Sequence, residues 1–176
     1  MAGGALLAFG AAARKLARGG DPYRVAAVGV LFGLAGFSAV IFAEPLESAT
    51  LFRIGTVLIG FGNGLFAVAT LTAAMSFETQ GLHGLALGAW GAVQATANGL
   101  AVLAGGAIRD AVSTLATQGV LGAGLEKAAT GYSFVYHVEM YLLFATLIAV
   151  GPLVRASARP VHAVAPGKFG LADLPG

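Results

Sequence analysis

Four long apolar segments constrain this chain more than any other feature of its sequence. They cover residues 25–43, 54–77, 82–108 and 134–154. Each is long enough to cross about 30 Å of hydrocarbon, which takes about 20 helical residues. Backbone groups in lipid must be hydrogen-bonded within their own segment, so each segment is predicted to be a helix. The sequence therefore predicts an all-α integral membrane protein surrounded by membrane lipid.

Composition supports this class and excludes others. Charged residues make up 10% of the chain, against about 25% in soluble domains, and the mean hydropathy is +0.84. The formal charge is +2, but the basic residues lie at predicted helix ends, so no nucleic-acid partner is predicted. The chain has no cysteine, which excludes disulfides, thiolate metal sites and cysteine nucleophiles.

A fifth apolar run, residues 2–13, is too short to span the membrane alone and is followed by Arg14 and Lys15. Two interpretations are open: the end of a helix that begins elsewhere, or a short reentrant or surface segment. Its lack of a preceding basic residue argues against a signal peptide. Residues 1–176 are thus predicted to form a single transmembrane domain fragment with four full spans and one partial helix.

Loop charges predict the orientation. The first loop carries Arg18 and Arg24, and the tail, residues 155–176, carries Arg155, Arg159 and Lys168. Lysine and arginine mark the cytoplasmic side, so the C-terminus is predicted to be cytoplasmic. The third loop, residues 109–133, then lies outside, and the helical spacing around it predicts a segment along the membrane surface.

Small residues recur at helical spacing in three of the spans. Small faces let helix backbones approach closely, while large apolar faces meet lipid. The predicted packing faces are Ala26, Gly29, Gly33 and Gly36 in the first span, Thr56, Gly60, Asn63, Ala67 and Thr70 in the second, and Gly84, Gly88, Gly91, Ala95 and Gly99 in the third.

Two amides in the third span are the first candidates for a binding site. Gln94 and Asn98 lie four residues apart, on one helical face bordering the small residues, and are expected to point into a bundle. They are either hydrogen-bonding links between helices or the lining of a ligand cavity. Trp90, one turn earlier, either stacks on a ring-shaped ligand or packs on a glycine face.

Three ionisable residues complete the candidate set. His137 and Glu139 lie near the outer end of the fourth span, where they either serve a function or reach the interface. His83 lies at the cytoplasmic mouth of the third span. Neutral imidazole can ligate a metal, including the magnesium of a chlorophyll-type ring. No protein metal site is predicted, because "HVE" lacks the second histidine of a zinc-protease helix.

Catalytic patterns are missing from the sequence. No G-x-S-x-G is present, and no paired carboxylates share a helical face. The glycine-rich "GFGNG" at residues 60–64 lacks the following G-K-S/T and a preceding strand, so it is not a phosphate loop. The chain is therefore not expected to be an enzyme.

Four stretches carry a resemblance to a known family. They are "GGDPYR" at residues 19–24, "GLALGAWGAVQATANGLAVLAGGAIRD" at 84–110, "GYSFVYHVEMYLLFATLIAVGPLVR" at 131–155 and "KFGLADLPG" at 168–176. Together they are similar to the PucC/LhaA family of light-harvesting complex assembly proteins, and the two long stretches are the specific ones.

The resemblance implies a fold, a location and partners. It implies the C-terminal portion of a major-facilitator-type bundle, from the end of the eighth span to the twelfth. It places the chain in the bacterial inner, intracytoplasmic photosynthetic membrane. The implied partners are antenna polypeptides and bacteriochlorophyll or its biosynthetic enzymes, with bacteriochlorophyll as transient cargo. The alternative is a major-facilitator-type small-molecule transporter, favoured by the Gln94 and Asn98 amides.

Overall fold

The structure, a computed structural model, describes residues 1–76, 83–127 and 129–157, and within them it is all-helical. The all-α prediction is confirmed. Five helices follow one another along the chain: α1 Ala2–Ala17, α2 Pro22–Ala43, α3 Ala49–Met75, α4 His83–Thr117 and α5 Ala129–Ser157.

The helices α2 to α5 are each long and apolar enough to cross a membrane, so the chain is a multi-pass membrane protein. Each predicted span falls on one of these four helices. Phe77, Leu82 and residues 158–176 of the tail lie outside the described residues. Helix α1 has 16 residues, about 24 Å of helix, which is shorter than the hydrocarbon core.

Side-chain caps define where α2 and α3 begin. Asp21 accepts a hydrogen bond from the Tyr23 amide at 2.9 Å, and Pro22 occupies the first turn of α2. Ser48 accepts one from the Leu51 amide at 3.2 Å at the start of α3. Such caps satisfy amides that have no partner within the helix, and they fix where the chain reverses direction.

The closest helix contact joins α2 and α3 in antiparallel register, and glycines make it. Gly29 lies against Gly62, and Gly36 lies against Gly55. A Cβ atom on Gly36 would lie 2.9 Å from the Gly55 carbonyl oxygen, and one on Gly55 would lie 2.8 Å from the Gly36 carbonyl oxygen. The predicted packing face of the first span is therefore confirmed, because its four residues are all buried.

The predicted packing face of the second span is only partly right. The α3 face that meets α2 carries Gly55, Gly62 and Ala69, which are seven residues apart and all buried. Gly60, which belongs to the predicted stripe, is buried instead by the backbone of Met1 in front of α1. Helix α3 therefore has two small faces, because it packs on α2 and on α1 at once.

Helix α1 packs along α3 and does not lie on a surface. Gly4 and Ala8 are buried, and a Cβ on Gly64 of α3 would lie 2.8 Å from the Ala8 Cβ. Ala12 is also fully buried, in a cluster with Leu65 of α3 and with α2. The surface-segment interpretation is therefore wrong, since these small residues leave room for the backbone of α3.

The predicted packing face of the third span has no partner among the described residues. A Cβ atom added to Gly84, Gly88, Gly91 or Gly99 would meet none of their atoms within 4 Å. Only 6% of the apolar window of α4 is buried, against 39% for α2. Helix α4 meets α5 near its C-terminal end, where Gly131 lies against Arg109 and Ser113, so its glycine face is left open.

The third loop also differs from the prediction. Helix α4 continues without a break past Ile108 to Thr117, so residues 109–117 extend the span and do not form a separate surface helix. Nothing in that stretch interrupts the backbone hydrogen bonds. Gly119 follows the end of the helix, and its positive φ of 74° lets the Val120 amide donate to the Leu115 carbonyl at 3.2 Å.

We expect Gly62→Ala to destabilise the bundle by about 1–3 kcal/mol, because its methyl group would meet the backbone of Gly29 and Gly33, which cannot move cheaply. Gly88→Ala is the matched control, because it adds the same methyl group to a helical glycine with open space around it. Both changes gain about 1 kcal/mol of helix propensity. Unfolding of the purified variants in detergent, followed by circular dichroism, measures the difference; equal stability would contradict the α2–α3 contact.

Candidate functional site

A cavity of about 490 Å³ lies between α1, α2, α3 and α5. Its size is within the range of small-molecule sites, about 300–1,000 Å³. Most of its wall is apolar or glycine. The lining residues that matter below are Gly29, Gly33, Phe37, Asn63, Phe66, Glu139, Leu143 and Thr146.

Two polar side chains of the cavity lie near the middle of long apolar helices. Asn63 is one residue from the middle of α3. Glu139 is four residues from Leu143, the middle of α5, which is about 6 Å along a helix. For a helix centred in a hydrocarbon core of about 30 Å, Glu139 therefore lies inside the core. Helix α5 starts ten residues earlier, at Ala129, so Glu139 does not lie at the end of its helix.

The polar groups of the cavity are left available to a ligand. The Thr146 hydroxyl donates to the Leu142 carbonyl at 2.8 Å, so only the lone pairs of its oxygen remain available to a ligand. Among the described residues no hydrogen bond or ion pair holds Glu139 or Asn63, and no lysine, arginine or histidine side chain lines the cavity. Within the same residues, no three histidine or carboxylate side chains come together as a metal site.

His137, two residues before Glu139, is exposed. Its Nδ1 lies 2.7 Å from the Ser133 carbonyl oxygen. Because a carbonyl only accepts, the ring donates through Nδ1 and keeps the lone pair on Nε2. This geometry suits a metal ligand, but His137 does not line the cavity.

Trp90 ties α4 to α3. Its Nε1 donates to the Thr70 hydroxyl at 3.3 Å, and Thr70 in turn donates to the Phe66 carbonyl at 2.9 Å. The indole therefore makes an interhelical hydrogen bond, which the sequence did not predict, and Trp90 does not line the cavity.

The two amides of α4 lie apart from the cavity. Gln94 is half-buried and Asn98 is exposed, and neither lines the cavity. Among the described residues no helix covers the face beside Asn98. His83 is the first residue of α4, and its side chain lies outside the described residues. Of the five predicted site residues whose side chains are described, the structure brings only Glu139 into the cavity.

Asn63 is the cavity residue that sequence reasoning missed as a site. It stands in "GFGNG", where its spacing predicts a place in a packing stripe. An amide in the middle of a span is costly without a partner, and this is the sequence signal for a site. That Asn63 shares a cavity with Glu139 is not predictable from the sequence, because it depends on how α5 packs on α2.

The Trp90–Thr70 hydrogen bond has a direct spectroscopic test, since Trp90 is the only tryptophan in the chain. We expect Thr70→Val to shift the tryptophan emission to shorter wavelength, because the indole N–H loses its partner. The helix link should weaken by about 0.6–2 kcal/mol. Thr72→Val is the control, because Thr72 bonds only the Val68 carbonyl of its own helix; an equal shift in both variants would contradict the link.

Comparisons with known proteins agree with one another. The family model described as PUCC protein matches residues 1–158. The chain is 48% identical over 98% of its length to "Uncharacterized protein in puhA-bchM intergenic region" of Rhodobacter capsulatus, and 42% identical over 89% to "Protein PucC" of Cereibacter sphaeroides. It covers 36% and 33% of these two relatives, about a third of their length. No solved structure matches the chain.

Proposed function

The chain belongs to the PucC family, and we propose that it acts in assembling bacterial light-harvesting complexes. The observation that carries the proposal is the family match over residues 1–158, supported by relatives called PucC at 39–48% identity. In this role the chain binds antenna polypeptides and delivers bacteriochlorophyll, which it receives from free pigment or from the enzymes that make it. The proposal contains no catalytic step.

The open helices supply the surface that such partners need. Only 6% of the apolar window is buried in each of α4 and α5, against 39% in α2 and 33% in α3. A membrane-spanning partner packs best on small residues, and the open glycines of α4 offer such a face. We assign this face to antenna polypeptides, and the competing occupant is the further chain that the longer relatives possess.

The proposed location is the intracytoplasmic photosynthetic membrane, with the C-terminus in the cytoplasm. Arg14, Lys15 and Arg24 lie at the end of the bundle where Ser157 of α5 donates to Asp21. The opposite end carries Glu44 and Glu47. A basic end is typical of the cytoplasmic side. We also propose that the chain forms part of a major-facilitator-type bundle.

A second function, transport of a small molecule, is favoured by the cavity. Glu139 and Asn63 line a cavity between helices and lie near the middle of α5 and α3, and transporters bind their substrates near the bilayer midplane. A transporter predicts that the cavity opens alternately to the two sides. An assembly factor predicts stable association with antenna polypeptides.

The proposed function is tested by deletion and purification in the bacterium that encodes the chain. We expect deletion to lower near-infrared antenna absorbance, and an affinity-tagged chain to co-purify with antenna polypeptides and pigment. A deletion strain with normal antenna absorbance, together with a purified chain free of antenna polypeptides, would refute the assembly role and leave transport as the better explanation.

The same strain separates Gln94 from Asn98. We expect Gln94→Leu to lower antenna absorbance per unit of membrane protein, because half-buried Gln94 is one turn from Trp90, where it and the indole can face one partner. Asn98→Leu is the matched comparison, since it makes the same kind of change at an exposed amide that lies a further turn from Trp90. Immunoblots measure the level of each variant. If Gln94→Leu leaves absorbance per unit of protein unchanged, Gln94 does not contact cargo.

A further inference from the structure

The cavity between α1, α2, α3 and α5 contains one ionisable side chain, the Glu139 carboxyl, among the residues that line it. Burying an ionised carboxylate in an apolar medium is costly unless a positive group compensates it. No basic side chain of the described residues supplies that compensation at the cavity wall. The amino group of Met1, which also lines the cavity, makes no ion pair with Glu139 either. Glu139 therefore has no ion-pair partner among the described residues, and a ligand can provide one.

The other polar atoms of the cavity fit the same kind of ligand. The Thr146 hydroxyl already donates to Leu142, so it offers only lone pairs. Asn63 offers a carbonyl oxygen besides its amide hydrogens. Carboxylate, amide and hydroxyl oxygens bind cations, including hard divalent metal ions. The chemistry of these three groups thus favours an electropositive partner.

The rest of the wall favours a ligand that is otherwise apolar. Gly29, Gly33, Phe37, Phe66 and Leu143 line the cavity, and the glycines leave flat backbone where side chains would otherwise protrude. A wholly polar ion would lose its hydration there, and the apolar wall would not replace those contacts. A lipid-soluble molecule with one positive centre would keep its apolar part against these residues.

We propose that this cavity binds a largely apolar molecule through one electropositive centre, an ammonium-type cation or a chelated divalent metal ion, which Glu139 contacts and Asn63 flanks. The proposal rests on the proposed function only where the chelated metal is the magnesium of bacteriochlorophyll. Glu139 is then a binding residue placed by α5, and its neutral isostere should lose the preference for the charged centre.

The experiment titrates three probes into the full 176-residue chain in lipid nanodiscs, followed by probe absorbance and fluorescence. Bacteriochlorophyll a carries a chelated magnesium ion, bacteriopheophytin a is the same ring without metal, and rhodamine 6G is a lipophilic cation. We expect bacteriochlorophyll a or rhodamine 6G to bind at least about tenfold more tightly than bacteriopheophytin a. Which of the two binds identifies the source of the positive centre.

Glu139→Gln should remove the preference for rhodamine 6G, and Glu139→Leu, which also lacks a metal-ligating oxygen, should remove the preference for bacteriochlorophyll a. Glu126→Gln, a change of an exposed carboxylate outside the cavity, should keep either preference. Asn63→Ala should weaken binding of the preferred probe severalfold. This variant is used instead if Glu139→Gln does not insert into membranes. The proposal is overturned if no probe binds, if the metal-free ring binds as well as the preferred probe, or if Glu139→Leu and Asn63→Ala leave binding unchanged.

Co-purification with antenna polypeptides tests the ligand site and the assembly role separately. If Glu139→Leu loses the probe preference but still retains antenna polypeptides, both the ligand site and the antenna role stand. If the wild-type chain shows the preference but never retains antenna polypeptides, the ligand site stands and the assembly role fails. If antenna polypeptides are retained and Glu139→Leu changes no probe, the assembly role stands and the ligand site fails.

Discussion

The backbone contact between α2 and α3 is the interaction on which the rest of the structure depends. Lipid tails are as apolar as leucine, so helices in a membrane gain little from burying large side chains and associate through close packing. The pairs Gly29–Gly62 and Gly36–Gly55 provide that packing. Because glycines lie seven residues apart on both helices, two turns of α2 meet two turns of α3 in one register.

That register also positions the candidate site. Asn63 directly follows Gly62, so the α2–α3 contact determines where its amide lies. Helix α5 then packs on α2 beside α3, with Leu143 near Gly33 and the Phe37 and Tyr136 rings 5.9 Å apart. These contacts place Glu139 on the same cavity as Asn63. A shift of α2 against α3 would therefore separate the two polar groups without changing either of them.

Much of the fold was predictable from sequence, because the length of each apolar segment alone determines whether a helix can cross the membrane. The packing of α2 was predictable as well, since its small residues form one stripe. The packing of α3 was not, because the series Gly55, Gly62 and Ala69 and the series containing Gly60 are equally plausible small faces. Only the positions of α1 and α2 decide between them. Likewise, the glycines of α4 predict a small face but do not reveal what it meets.

On α5 as well, the sequence alone does not predict which candidate residue reaches the cavity. His137 and Glu139 are close together in the sequence. Side chains two positions apart in a helix, however, point in directions about 200° apart around the helix axis. The structure accordingly places Glu139 on the cavity, while His137 is exposed and bonded through Nδ1 to Ser133. One metal centre cannot take ligands from opposite sides of one helix. If both residues bind metal-centred molecules, they bind two of them, so loss of a ligand at Glu139 should leave His137 unaffected.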